Sequence, residues 1–252
     1  MKTHKITFEG HSEPLRAKLD LPEEGEPVGW GLFAHCFTCN KNLKAIGNIS
    51  RSLTARGYAL FRFDFTGLGE SEGDFGDTNF SSNIQDLIAA TEYLKREYQA
   101  PDLLIGHSLG GAAVLQAARY IDSCRAVATI GAPCNPGHVA HLLDSKREEI
   151  EKNGEAKVKL AGRTFNIKKQ FLDDLEESRM DDNIRSLKQA LLLFHSPVDQ
   201  TVGIENASHI FKLAKHPKSF VSLDRADHLL MNDRDSSFVG DIIASWVKRY
   251  LT

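Results

Sequence analysis

The chain has 252 residues, of which 41% are hydrophobic and 26% charged, and its formal net charge is −3. That length suits one large domain or two small ones, with enough chain to bury a full core without a disulfide or metal staple. The near-neutral charge argues against nucleic acid or an anionic membrane surface as the main partner. No stretch reaches the ~18 apolar residues that cross a bilayer. Residues 1–10 alternate polar and apolar side chains and lack the apolar centre of a signal peptide. The expected location is the cytosol, with no membrane partner.

The elements follow in chain order. Residues 5–8 and 15–21 read as strands, and 22–27 (Pro-Glu-Glu-Gly-Glu-Pro) as a polar turn. Residues 28–34 form an apolar run typical of a strand buried on both faces. Leu43, Ile46, Ile49 and Leu53 give 40–56 a helical period that ends at Gly57. Residues 58–63 are another buried strand, 80–98 a long amphipathic helix, 103–105 a short strand, 109–120 an Ala-rich helix and 126–130 a strand. This alternation predicts a mainly parallel sheet covered on both faces, joined by right-handed crossovers.

The rhythm breaks after Pro133. Residues 138–153 look helical and charged, 158–167 like a hairpin turning near Gly162, and 170–177 helical. Alternation resumes with a strand at 190–195, a helix at 204–214, a strand at 219–223 and a helix at 238–251. The expected organisation is a single domain, 1–252, with residues 134–187 inserted as a lid at the edge where such sheets bind ligands. Met180, Leu142, Leu143 and Phe171 are candidates to line an apolar acyl pocket, and as readily form a small core belonging to the insertion.

Gly106-His107-Ser108-Leu109-Gly110 matches G-x-S-x-G, directly after one predicted strand and directly before a predicted helix. That is the setting of a nucleophile elbow, where the serine sits on a strained turn and Gly106 and Gly110 keep side chains out of the crossing of strand and helix. A serine hydroxyl needs a general base to attack a carbonyl at neutral pH. Of the ten histidines, His228 alone lies beyond the last predicted strand. In elbow enzymes the order runs Ser, acid, His, so His228 is the expected base. Asp199, in the loop after 190–195, is the expected acid that orients it. Asp224 and Asp227 are rivals by proximity, with poor geometry expected from the base's own loop. His35, His107 and His195 border strand ends and read as bracing residues. No zinc spacing such as H-E-x-x-H occurs, so no metal and no cofactor is expected.

An oxyanion needs backbone N–H donors. The amide of Leu109 is the first candidate, and the loop after residue 34 supplies the second, with Phe37 ahead of Cys36. The loop Asp64–Ser71 is expected to brace the other two, with no catalytic step at Asp64. Cys36 and Cys39 form a C-x-x-C, but Cys124 and Cys134 are not close-spaced and the surroundings are not thioredoxin-like. In a reducing compartment all four are expected to be free thiols.

On these residues the chain resembles the α/β-hydrolase superfamily. More narrowly, it looks like the hydrolase half of bacterial proteins that fuse such a domain to an OsmC-type peroxide reductase. The carrying segments are 32–39, 61–71, 105–111 and 194–199. The resemblance implies an α/β-hydrolase fold with eight mainly parallel strands. It also implies a Ser108–Asp199–His228 triad, and raises a functional link to an OsmC-type reductase, although the chain ends at Thr252 with no such domain. The leading expectation is a serine hydrolase cleaving an ester, thioester or small amide of a small acyl substrate through an acyl-Ser108 intermediate. Acyl transfer to an alcohol or peroxide by the same residues, and a non-enzymatic binding protein on the same fold, are the alternatives. Dehalogenase chemistry needs a carboxylate where this elbow has serine.

Overall fold

The computed structural model describes residues 1–160 and 162–251, and at His138, Val139 and Leu142 the backbone alone. In chain order the strands and α-helices are β1 (Lys2–Glu9), β2 (Pro14–Leu21), β3 (Gly29–Ala34), α1 (Lys44–Thr54), β4 (Tyr58–Phe63), α2 (Phe80–Glu97), β5 (Leu103–His107), α3 (Leu109–Ala117) and β6 (Ala126–Ile130). Then come α4 (Arg147–Asn153), β7 (Glu155–Leu160), β8 (Arg163–Lys168), α5 (Lys169–Glu177), α6 (Met180–Ser186), β9 (Ala190–His195), α7 (Glu205–Leu213), β10 (Lys218–Ser222) and α8 (Asp233–Val247).

Eight strands form one sheet in the order β1-β2-β4-β3-β5-β6-β9-β10. β2 runs antiparallel to both β1 and β4, and every pair from β4 to β10 is parallel. The five central strands, β4, β3, β5, β6 and β9, are buried at every position. That is why they read as largely apolar runs, with Arg62 of β4 the one charged residue among them. One apolar cluster packs α2, α3 and Ile210 of α7 on one face, and a second packs α1 and α8 on the other. The expected doubly covered, mainly parallel sheet is the fold.

The chain leaves β3 for β4 on one side and later returns to β5 on the other, with Ala34 opposite Gly106. The order in which successive strands are added to the sheet reverses between the parallel neighbours β3 and β5, so the loops at their carboxyl ends diverge and leave a crevice. The elbow at Ser108 and the loop after Ala34 flank that crevice.

Four elements differ from expectation. α1 begins at Lys44 and not at 40, because the segment before it is pulled into a loop. There the Lys41 ammonium reaches Asp64 Oδ2 at 2.5 Å and the Lys41 amide reaches Oδ1 at 2.6 Å. The predicted helix over 138–153 divides into 3-10 turns over Pro136–Lys146 and then α4. α8 starts at Asp233 under an Asn232 cap whose side chain accepts from the Arg234 amide. Helix α6 was not predicted.

The segment between β6 and β9 forms the hairpin β7–β8, with Val158 opposite Phe165. Leu143, Phe171 and Met180 are buried, but in the same apolar cluster as α2 and α3. A small core private to the insertion is therefore corrected. The segment is too short to bury its apolar faces alone, so it shares the sheet's core. Leu142 lies outside the residues whose side chains are described.

Several charged residues inside this fold are paired, while buried Asp86 accepts from the Thr66 amide and hydroxyl. Asp64 and Lys41 are almost fully buried, and Lys41 also bonds Glu70. Arg62 bonds Asp20 at 2.7 Å and the Lys41 carbonyl at 2.6 Å. Removing one member of a buried pair leaves the other charge uncompensated. Lys41→Met should lower the unfolding free energy by about 3 kcal/mol, read from urea melts, and a loss below about 0.5 kcal/mol would mean that Asp64 does not depend on this partner.

Candidate active site

Ser108 caps α3 with φ 53 and ψ −125. A positive φ is costly for any residue with a side chain and persists only where the surroundings impose it. Here they do. The Ser108 amide donates to the Ile130 carbonyl of β6 at 2.9 Å. A Cβ at Gly106 would fall 2.3 Å from the Gly110 carbonyl oxygen, and a Cβ at Gly110 would fall 2.4 Å from the carbonyl oxygens of both Ala34 and His35. Glycine at both positions lets β5, α3 and the β3 loop meet at van der Waals distance, which presents the serine hydroxyl at the sheet's edge.

The base and acid loops arrive from β10 and β9. His228 Nε2 lies 2.9 Å from Ser108 Oγ, and His228 Nδ1 lies 2.7 Å from Asp199 Oδ2. An ionised carboxylate only accepts, so Nδ1 carries the proton and Nε2 turns its lone pair to the serine hydroxyl. The other Asp199 oxygen accepts from the amides of Thr201 and Val202 at 2.8 and 3.0 Å. Burial pushes the Asp199 carboxyl up, but the His228 hydrogen bond and these two amides outweigh it and hold it below the usual carboxylate range. It is therefore ionised at neutral pH. The rivals point elsewhere. Asp227 accepts from the amides of Leu229 and Met231 in its own loop, and Asp224 accepts from the Ser222 hydroxyl.

The bracing histidines each have a defined bond. His107 Nε2 lies 2.6 Å from the His228 carbonyl, which can only accept, so His107 donates and ties the elbow to the base loop. Burial and the nearby His228 push His107 down to about 3, leaving it neutral. His195 Nε2 donates to the Val202 carbonyl at 2.7 Å behind Asp199. His35 Nδ1 donates to the Cys36 carbonyl at 2.8 Å while its Nε2 accepts from the Phe65 amide at 3.4 Å. Burial drives its pKa down.

The first amides of a helix have no intrahelical partner, which leaves the Leu109 N–H available beside Ser108. Cys36 and Phe37 line a small cavity together with His35, Leu109 and Gly110, so both halves of the expected oxyanion site adjoin. Phe37 is fixed by ring contacts to Phe75 and Phe171, at 5.5 and 5.3 Å. Asp64 braces this loop through Lys41, one of the two loops that the Asp64–Ser71 turn is expected to brace.

The cysteine expectation needs correction. Cys36 and Cys39 are joined as a disulfide, with Cα atoms 5.2 Å apart. Compartment suggested free thiols, but the turn in which the Cys39 amide donates to the Cys36 carbonyl brings the two side chains together. Cys124 and Cys134 are free.

Sequence reasoning missed Gly131. It follows β6 at φ 55, and a Cβ there would lie 3.3 Å from both Asp199 Oδ2 and His228 Nδ1. Its place directly after an apolar strand at the carboxyl edge was the available signal. It also missed Lys41, whose charge gave no hint of burial. Val198, in the acid loop, and Leu229 and Met231, in the segment after His228, are exposed apolar side chains.

The chain matches the family model described as serine aminopeptidase, S33, over residues 38–161. The solved esterase domain of a Rhodothermus marinus protein is 54% identical, with 100% of each chain covered and a TM-score of 0.82. YfhR, an uncharacterized protein, is 25% identical in Salmonella typhi and 27% in Salmonella typhimurium, and the chain spans 69% and 61% of their lengths. The mitochondrial palmitoyl-protein thioesterase ABHD10 of Rattus norvegicus is 30% identical over 128 residues, 49% of this chain and 42% of that protein. Fold, elbow and relatives together define a hydrolase of the elbow-bearing α/β type. The chain belongs to the α/β-hydrolase superfamily.

Two outcomes follow from the geometry. The unfolded chain protonates His107 near the ordinary 6.5 and the folded chain only near 3, so this histidine makes the fold less stable as pH falls from 6.5 toward 3. The slope is about 1.4 kcal/mol per pH unit. His107→Gln keeps a donor for the His228 carbonyl and removes the titration. The stability difference between pH 7.5 and 5.0 should shrink by about 1–2 kcal/mol, and an unchanged difference in urea melts would contradict the assignment. At Gly131, alanine meets both a positive φ and the His228–Asp199 pair. Gly131→Ala should cost about 1–2 kcal/mol and slow fluorophosphonate labelling of the protein at least about tenfold, whereas wild-type labelling would show that the pair tolerates the methyl group.

Proposed function

We propose that the protein is a serine hydrolase that cleaves a carboxylic ester, thioester or small amide through an acyl-Ser108 intermediate. The observation that carries this reading is the continuous chain of hydrogen bonds from Asp199 through His228 to the Ser108 hydroxyl, at 2.7 and 2.9 Å. His228 takes the serine proton as Oγ attacks the acyl carbon, and Asp199 stabilises the imidazolium that forms. The amides of Leu109 and of Phe37, or Cys36, receive the developing oxyanion. His228 then returns its proton to the leaving group, and water repeats the cycle to release the acid.

A carboxylic ester is the favoured substrate class, in the sense of a carboxylesterase. The 54% identity to an esterase domain supports it, as do the exposed apolar side chains that the acid and base loops carry at Val198, Leu229 and Met231. The thioesterase named among the relatives supports the thioester branch more weakly, because the match spans less than half of each chain. We read residues 134–187 as a lid, since Phe171 packs on Phe37 of the oxyanion loop. The narrower kinship with the hydrolase halves of OsmC-type fusions belongs to this proposal, carried by segments 32–39 and 61–71. A cytosolic location does too: among the described residues no helix is long and apolar enough to cross a membrane.

Ser108→Ala should abolish both turnover of a short p-nitrophenyl ester and labelling by a fluorophosphonate, a loss of at least about 10³-fold in kcat. Full retention of labelling by the folded variant would refute the assignment of the nucleophile.

A further inference from the structure

The loop between β3 and α1 carries a cysteine pair that the reading above does not use. The Cys36–Cys39 disulfide closes a four-residue turn, reinforced by the Cys39 amide donating to the Cys36 carbonyl at 3.1 Å. The turn contains both amides proposed as second oxyanion donors.

The surroundings argue against a merely structural staple. The stabilisation a disulfide gives in the chain-entropy picture grows with the loop it closes, and this loop is minimal. The sheet already has a full core on both faces. The loop is also anchored without the disulfide. His35 holds the Cys36 carbonyl, Lys41 is clamped by Asp64, and the Phe37 ring is packed between Phe75 and Phe171. What the disulfide adds is the orientation of the peptides at residues 36–39. Access is asymmetric: Cys36 is buried at 6% exposure, while Cys39 is partly exposed. A thiolate from solution can therefore attack the Cys39 sulfur and expel Cys36. The remaining cysteines offer no competing partner. Cys124 is buried with its thiol pushed up to about 12, and burial also raises Cys134.

We propose that Cys36 and Cys39 are a redox site in the oxyanion loop, a dithiol–disulfide pair whose closed form aligns the Cys36 and Phe37 amides and whose reduced form loosens them. The gating half of this proposal rests on the acyl-Ser108 reading. Disulfides in a reducing compartment are characteristically transient and redox-sensing, which fits a pair set on a catalytic loop. The reductant is a thiol. Its thiolate attacks Cys39 Sγ, Cys36 leaves as a thiolate and takes up a proton, and a second thiol resolves the mixed disulfide. Two thiols become one external disulfide as both cysteines become thiols. The oxidant is a hydroperoxide. The Cys39 thiolate attacks its terminal oxygen, and the O–O bond breaks to give Cys39 sulfenic acid and an alcohol. The Cys36 thiol then displaces water as the S–S bond forms.

The test uses the full chain, treated with cumene hydroperoxide or with dithiothreitol. Alkylation of the denatured protein should count two thiols after hydroperoxide, Cys124 and Cys134, and four after dithiothreitol. Misaligned donors lose transition-state stabilisation and not ground-state binding. Reduction should therefore lower kcat for p-nitrophenyl acetate about tenfold, less than the 10²–10³ for deleting a donor, with KM within about twofold. Hydroperoxide should restore it. A Cys36→Ser/Cys39→Ser variant should sit at the reduced level without responding, and a Cys124→Ala/Cys134→Ala variant should respond like wild type. Four thiols persisting after hydroperoxide would overturn the redox site. Two thiols with equal kcat in both states would overturn the gating. If no ester turns over in either state, the acyl-Ser108 reading and the gating fail together, and the thiol count alone decides the redox pair.

Discussion

Between β5 and α3 a residue with a side chain is held at φ 53, and the rest of the site is arranged around that turn. Such a backbone costs of order 1–3 kcal/mol, and it is imposed from three sides. β6 receives the Ser108 amide through Ile130, and Gly106 and Gly110 let β5, α3 and the β3 loop close on each other. Gly111 brings α3 against Ala132, where a Cβ would sit 2.5 Å from the alanine methyl. The strain is spread over buried strands that have no alternative packing. The hydroxyl therefore stands at the edge of the sheet with little freedom to move.

The partners of that hydroxyl are held by polar contacts behind them. Asp199 is fixed by two amides, His195 pins the same loop through Val202, and His107 ties the base loop to the elbow. Among the described residues no buried side-chain nitrogen or oxygen lacks a partner. In a medium of low polarity, satisfied networks are rigid and unsatisfied ones are costly. Rigidity at the Ser108–His228–Asp199 array is thus a property of its supports as much as of the three side chains. The β3 loop is built differently. Its ends are clamped by His35 and by the Lys41–Asp64 pair, and its middle is a short turn closed by sulfur. A scaffold of this kind hosts many chemistries.

The order of strands and helices was legible because the two periods, 2 and 3.6, are imposed by the backbone itself. Largely apolar runs at β3, β4 and β9 declared their burial on both faces, Arg62 of β4 being the exception. The insertion was harder to read. Its short elements bury faces against α2, α3 and Phe75, so their patterns depend on neighbours distant in the chain, and α6 carried too few residues for a period to emerge. The start of α1 was misplaced for a related reason: Lys41 looks like a surface residue until Asp64 is known to lie beneath it.

By itself the sequence determined the fold class and singled out the elbow serine and the one histidine beyond the last strand, and it favoured Asp199 over Asp224 and Asp227, a choice that the hydrogen bonds of the folded loops then made. Only the tertiary structure decided what those loops do to one another. Gly131 is invisible as a site residue until β6, β9 and β10 lie side by side and bring Asp199 and His228 against it. The cysteine pair reads as ordinary thiols from composition and compartment, and becomes a disulfide only when the turn after β3 brings residues 36 and 39 together. Local patterns record what each segment prefers to bury, whereas distances between loop tips are set by the register and twist of the whole sheet.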